Sequence, residues 1–122
     1  MLGESCTTGY ASTNEPPRSG KRRTVEKEHL ERQPQCAACD STKHLNVHHI
    51  ESFVLHPQLE LDPNNLITLC MGKFECHIRI GHGGSFDHGG YNPNVVMDAA
   101  TVLKAPALRA EIEAKAKAAR VV

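Results

Sequence analysis

Tryptophan is missing from this chain, and only five aromatic residues, three Phe and two Tyr, are spread over its 122 positions. With 39% hydrophobic residues and so few large rings, the chain has material for a thin apolar core. Its length suits one domain that buries roughly two-thirds of its unfolded surface. Such a domain needs a further source of stability, and small scaffolds commonly find it in a bound metal. A surplus of charge is missing too, because 14 Lys and Arg balance 14 Asp and Glu. That removes the broad basic surface typical of phosphate binders, although bound cations add positive charge that residue counting omits.

No run of apolar residues is long enough for a membrane-spanning helix, so no membrane partner is expected. The opening MLGESCTTGY has neither the basic nor the apolar stretch of a signal peptide. Five cysteines are an odd number, ill suited to a closed disulfide framework. These features predict a cytoplasmic protein with reduced thiols, where clustered cysteines mean metal more often than disulfide. Cys6 stands outside the cluster, in a polar stretch, as an expected free thiol.

Residues 1–23 are rich in Ser, Thr, Gly, Pro and Arg and read as a disordered leader. Its basic run Arg18, Lys21, Arg22 and Arg23 reads as a solvated tail more readily than as a phosphate clamp. A short helix is expected over 24–33, with Thr24 as N-cap and Pro34 closing it. Alternation over 44–50 predicts a strand with Leu45, Val47 and His49 on one face and Asn46, His48 and Ile50 on the other. A long connection containing Pro57 and Pro63 leads to a second strand over 66–69, entering Cys70. Helical spacing follows over 74–80 and ends at the glycines after Gly81. Two C-terminal helices are expected beyond a Gly, Asn and Pro loop. Asn94 would cap the first, along whose side Val95, Ala99, Val102 and Leu103 line up. Pro106 would open the second, with a stripe of Leu108, Ile112, Ala116 and Ala119 and with Glu111–Lys115 and Glu113–Lys117 pairs.

Between Cys36 and His82 the composition changes character. Cys36 and Cys39 are separated by two residues, a spacing at which one turn aims both thiolates at a tetrahedral ion, and Cys70 and Cys76 supply two more. Four thiolates would close a structural Zn²⁺ site; the competing reading is a set of small buried hydrophobes. Five residues separate the second pair, more than the usual two to four. The extra residues either bulge as a loop or yield the fourth position to His77 or His44.

His48 and His49 are adjacent on an expected strand, so their side chains face opposite ways. That suggests a division of labour in which one serves a metal and the other is free as a base near physiological pH. His77 and His82 flank the expected helix and could meet the same metal as a strand histidine. They lie five residues apart, longer than the three- or four-residue steps that align side chains on an α-helix.

The order Cys-x2-Cys, His-His after a hydrophobic residue, Asn-Leu before a cysteine, then Cys-His resembles the HNH endonucleases, over residues 24–82. The resemblance implies an α+β fold: a small ββα-metal finger with a four-cysteine zinc knuckle, flanked by an N-terminal helix and two C-terminal helices. Together with the expected leader and helices, it divides the chain into residues 1–23, a nuclease core over 24–90 and a helical cover over 91–122. It implies His49 as general base, Asn65 as the residue orienting it, and His48, His77 and His82 as ligands of a catalytic divalent ion. That ion would be Mg²⁺, Mn²⁺ or a transition metal. The choice of Asn65 over Asn64 rests on the Asn-Leu pairing. DNA is the implied substrate, cut to 5′-phosphate and 3′-hydroxyl ends, with phage or restriction proteins as partners. The alternative is a non-catalytic zinc module that binds nucleic acid or protein and needs the cysteines but not His49, Asn65 and His77.

Overall fold

The computed structural model describes residues 17–85 and 90–121. Cys6 and most of the expected leader lie outside them. Helix α1, Arg22–Arg32, begins two residues before the expected Thr24, and Lys21 stands at its N-cap without a side-chain bond. The turn ahead of it is tied down instead: Ser19 Oγ accepts from the Lys21 amide at 3.1 Å, and the Ser19 amide donates to the Glu60 carboxylate at 3.0 Å. Arg18 pairs with that same carboxylate at 2.7 Å, so residues 18–23 are anchored to the body where a solvated tail was expected.

Strands β1, Leu45–His49, and β2, Leu66–Cys70, form a two-stranded antiparallel sheet with His48 opposite Ile67 and His49 opposite Leu66. Opposed residues share a face, so Asn46, His48, Ile67 and Leu69 look one way and Leu45, Val47, His49, Leu66 and Thr68 the other. α1 packs on the sheet, and its buried residues are Glu26 and His29 rather than an apolar stripe. The outer edge of β2 is covered as well. Gln33 takes the Thr68 amide and hydroxyl at 2.9 and 2.8 Å, and the Ala37 amide donates to the Thr68 carbonyl at 2.9 Å.

After β2 the chain loops out over 71–75 and enters a π-helical turn, His77–Gly81, where an α-helix over 74–80 was expected. Phe74 is 41% exposed on that loop and lines no helix face. The turn packs against both strands and carries α2, Val95–Lys104, and α3, Arg109–Ala119, on its far side. A 3-10 turn, Pro106–Leu108, precedes α3. The protein is thus a small α+β fold, and none of its described helices is long and apolar enough to cross a membrane. Three of the ten residues in the central apolar cluster are Cys36, Cys70 and Cys76, joined by Ile67, Leu69, Ile80, Val95, Ala99 and Val102 among others. The core is as thin as the composition predicts.

The C-terminal helices depart from expectation at their polar contacts. Asn94 occupies the N-cap of α2 but makes no side-chain cap; Asn92 Oδ1 accepts from the Asn94 amide at 2.9 Å. Fully buried Asn92 also donates to the Ile80 carbonyl at 3.0 Å and to Asp98 at 2.9 Å, and its amide donates to the Gly81 carbonyl. It therefore satisfies the carbonyls that the end of the π-helical turn leaves unpaired. Leu103 and Leu108 are exposed. In place of the expected Glu111–Lys115 and Glu113–Lys117 pairs, Lys115 reaches Asp98 of α2 at 2.8 Å. Glu113 pairs with Arg109 one turn earlier in α3 at 2.7 Å and with Arg79 at 3.7 Å.

Candidate metal centres

The knuckle is built by a turn in which the Cys36 amide donates to the Ser41 carbonyl and the Asp40 amide to the Cys36 carbonyl, at 2.8 and 2.9 Å. Asp40 adopts the left-handed conformation, φ 64°, that closes it. Cys70 arrives from the end of β2 and Cys76 from the start of the π-helical turn. All four sulfurs lie within 4.8 Å of one another, and Cys39 Sγ is 3.5 Å from Cys70 Sγ. A tetrahedral zinc with bonds of about 2.3 Å needs sulfur separations near 3.8 Å, so the cluster could hold a metal ion such as zinc. The 71–75 segment bulges away and leaves the cluster intact. His44 is exposed and His77 belongs elsewhere, so neither displaces Cys76.

Hydrogen bonds favour thiolate here. Cys36 Sγ accepts from the amides of Ala38 and Cys70, both at 3.4 Å. Arg109 Nη2 reaches Cys76 Sγ at 2.8 Å from α3 while Nη1 holds Glu113 at 2.7 Å. Without a cation the four thiols cannot all ionise. Burial pushes Cys39 up to about 11. Hydrogen bonding from Cys36 and Cys70 pushes Cys76 higher, while hydrogen bonds from Cys36 and Cys76 push Cys70 down. One thiolate is stabilised at its neighbours' expense, so holding all four as thiolates calls for the charge of a cation.

The second cluster joins His48 from β1 with His77 and His82 from the two ends of the π-helical turn. Their ligand atoms lie within 4.8 Å of one another, and the ring centroids are 4.9 to 5.1 Å apart. The five-residue interval is what the π-helix accommodates, since its i→i+5 bond, from the His82 amide to the His77 carbonyl at 3.0 Å, stacks residues five apart on one side. Gly81 lets the turn approach β1: a Cβ there would sit 3.0 Å from Leu69 Cδ1 and 3.1 Å from His48 Cε1.

All three rings are buried, and their free nitrogens carry the signature of a ligand site. The carbonyl of Gly90 can only accept, so His82 Nδ1 donates to it, at 2.8 Å, and the lone pair lies on Nε2. His77 Nδ1 is similarly engaged by Asn46 Oδ1 at 3.1 Å. Nε2 of His77 and His82 are buried without a hydrogen-bond partner among the described residues; the nitrogens of His48 are buried too and meet no well-formed hydrogen bond, only a loose approach to the Gly81 backbone. Unpaired buried polar atoms are rare and call for an explanation; three converging lone pairs fit a cation. Burial, reinforced by the neighbouring imidazoles, holds His48 and His77 well below 6.5, and burial also lowers His82. The three are neutral near pH 7 and ready to donate lone pairs.

His49 points to the other face, as adjacent strand residues must. Its Nε2 donates to the Glu60 carbonyl at 3.0 Å, so the lone pair is on Nδ1, which is buried without a partner among the described residues. Burial brings its pKa down to about 4 despite that hydrogen bond, so His49 is neutral at pH 7 but a weaker base than the near-physiological one expected from sequence. Its charge would still be felt at both His48 and His77. Asn65 closes the 3-10 turn Pro63–Asn65. Its side chain accepts from the Glu51 amide at 2.8 Å and donates to the carbonyls of Glu51 and Leu59 at 3.1 and 3.3 Å. It thus binds together both ends of the connection that carries Glu60. Asn64 is exposed and only its amide is used, by Asp62.

Sequence reasoning passed over Asn46, Asn92 and Arg109. Asn46 was within reach, since it lies two residues before His48 and on the same strand face. The others sit on the far side of the chain with nothing local to mark them. No family model, curated protein or solved structure matches the chain.

Proposed function

We propose that this protein is a metal-dependent endonuclease of the HNH type that hydrolyses DNA phosphodiester bonds, with zinc in the four-cysteine knuckle serving the fold. The observation that carries the proposal is the meeting of three buried, neutral imidazoles with unpaired nitrogens, next in sequence to His49, whose Nδ1 is also unpaired on the opposite strand face. Two antiparallel strands with a π-helical turn packed against them support reading the unit as a ββα-metal finger. His48, His77 and His82 would hold the catalytic ion. Their all-imidazole donor set suits Zn²⁺ or a later transition ion such as Co²⁺ or Ni²⁺ better than Mg²⁺ or Mn²⁺. A divalent ion there would stabilise the charge that builds on the leaving oxygen.

The remaining work falls to the chain itself. His49 Nδ1 takes the proton from water as the water attacks phosphorus, an effect of about 10²- to 10⁴-fold. The Glu60 carbonyl, accepting from Nε2, stabilises the imidazolium that forms and fixes its orientation. Asn65 holds the connection that presents that carbonyl. Sequence preference, and any phage or restriction partner, would come from surfaces outside these clusters.

Supercoiled plasmid tests the proposal. Purified protein with Mg²⁺, Mn²⁺, Co²⁺, Ni²⁺ or Zn²⁺ is expected to nick or linearise it. His49→Ala should lower the rate by about 10²- to 10⁴-fold, with zinc content and circular dichroism unchanged. An undiminished rate in that variant removes His49 from the mechanism. If the wild type cuts with none of these ions, the protein is a non-catalytic zinc module.

A further inference from the structure

We infer that Asn46 is a positioning residue for the histidine cluster: its side-chain amide fixes the tautomer and ring orientation of His77, so that Nε2 presents its lone pair to the metal. The inference rests on the reading of His48, His77 and His82 as a metal site. Asn46 Nδ2 lies 3.2 Å from the Leu45 carbonyl. A carbonyl can only accept, so the amide nitrogen must face Leu45 and the amide oxygen must face His77. Oδ1, at 3.1 Å from His77 Nδ1, can likewise only accept, and the proton is placed on Nδ1. Nε2, buried and unpaired among the described residues, is left as the donor atom.

The strand makes this possible. Asn46 precedes His48 by two residues on β1, so both side chains stand on the sheet face that the π-helical turn covers. One strand therefore supplies both a ligand and the hydrogen bond that orients another. His82 receives the same treatment from the Gly90 carbonyl, a backbone group that no side-chain substitution removes. Asn46 is the side chain through which the arrangement can be tested. An amide also fixes the tautomer without adding the negative charge that a carboxylate would push onto the imidazole.

The test uses the full chain carrying one equivalent of zinc in the cysteine cluster. A second equivalent of Zn²⁺ is followed by titration calorimetry, and the histidine ring nitrogens are observed by long-range ¹H–¹⁵N NMR before it is added. In wild type, His77 is expected as the Nδ1–H tautomer. Asn46→Leu, which keeps the bulk and loses the acceptor, should mix the tautomers and weaken the second zinc by about 10- to 100-fold. Asn46→Asp, which keeps an acceptor, should retain the Nδ1–H tautomer and bind at least as tightly as wild type. An Asn46→Leu protein that keeps the tautomer and binds within twofold of wild type overturns the inference, as does loss of the tautomer in Asn46→Asp. If wild type takes up no second zinc, the metal reading fails, while the NMR spectra still decide whether Asn46 sets the His77 tautomer.

Discussion

Asn65 spends all three hydrogen bonds of its side chain on the backbone of the connection between the strands, at Glu51 and Leu59. Asn65→Ala would leave a partly buried amide and two carbonyls to find other partners. The penalty for such orphaned groups is about 1–3 kcal/mol. Urea unfolding should show that loss, and plasmid cleavage should fall further than stability does, because the Glu60 carbonyl that holds His49 rides on the same connection. Equal losses in both would reduce Asn65 to a structural residue. Gly81 is limited by space rather than by hydrogen bonding. In Gly81→Ala the new methyl meets Leu69 at 3.0 Å and the His48 ring at 3.1–3.2 Å. Leu69 is fully buried and has little room to retreat, so the His48 ring must turn. Overpacking of this kind costs about 1–3 kcal/mol. Calorimetry should find weaker uptake of the second zinc with the first unaffected.

The elements that came through from sequence are those whose period is simple. Alternation over 44–50 and the short apolar run over 66–69 mark both strands to within a residue of Leu45–His49 and Leu66–Cys70, and with the first of them the opposed faces of His48 and His49. Cysteine and histidine could be grouped from sequence because few other roles explain so many of them in one stretch. The π-helical turn was illegible, since a 3.6-residue period cannot place His77 and His82 together; the interval of five was itself the signal. Phe74 misled because it sits at a helical spacing while standing on the 71–75 loop. Arg109 was hidden by distance, 33 residues from the sulfur it contacts. Its guanidinium, 2.8 Å from Cys76 Sγ, couples α3 to the cysteine cluster and offsets the excess negative charge of four thiolates around a divalent ion. Arg109→Leu should therefore release zinc faster to a colorimetric chelator, and Arg109→Lys should recover part of the delay. Full chelation should abolish the helical circular dichroism, because a structural zinc contributes on the order of 10 kcal/mol and three of its ligands are core residues.

At the scale of the whole molecule, two sets of buried titratable groups oppose each other across neutral pH. The four histidines 48, 49, 77 and 82 are held below 6.5 by burial. The unfolded chain takes up their protons first as pH drops, so the stability they support is present above 6.5 and is lost on acidification. Glu26 runs the other way. Only 1% exposed on α1, its carboxyl is pushed up from 4.5 to about 7 by burial, against the pull of Arg22 and Arg18. The Arg22 guanidinium is 3.6 Å away. Between those two values the folded protein keeps a proton that the unfolded chain has released. The Glu26 contribution is thus complete below 4.5, declines as pH rises, and is gone above about 7. Glu26→Gln keeps the shape and removes the titration. Relative to wild type, this variant should gain about 1–3 kcal/mol of stability between pH 5 and pH 8.5. Thermal melts of both proteins at matched zinc loading measure it, and the histidines cancel because both chains contain them. Parallel curves across that range would mean that Glu26 ionises in the fold as readily as it does in water, with Arg18 and Arg22 compensating fully for its burial.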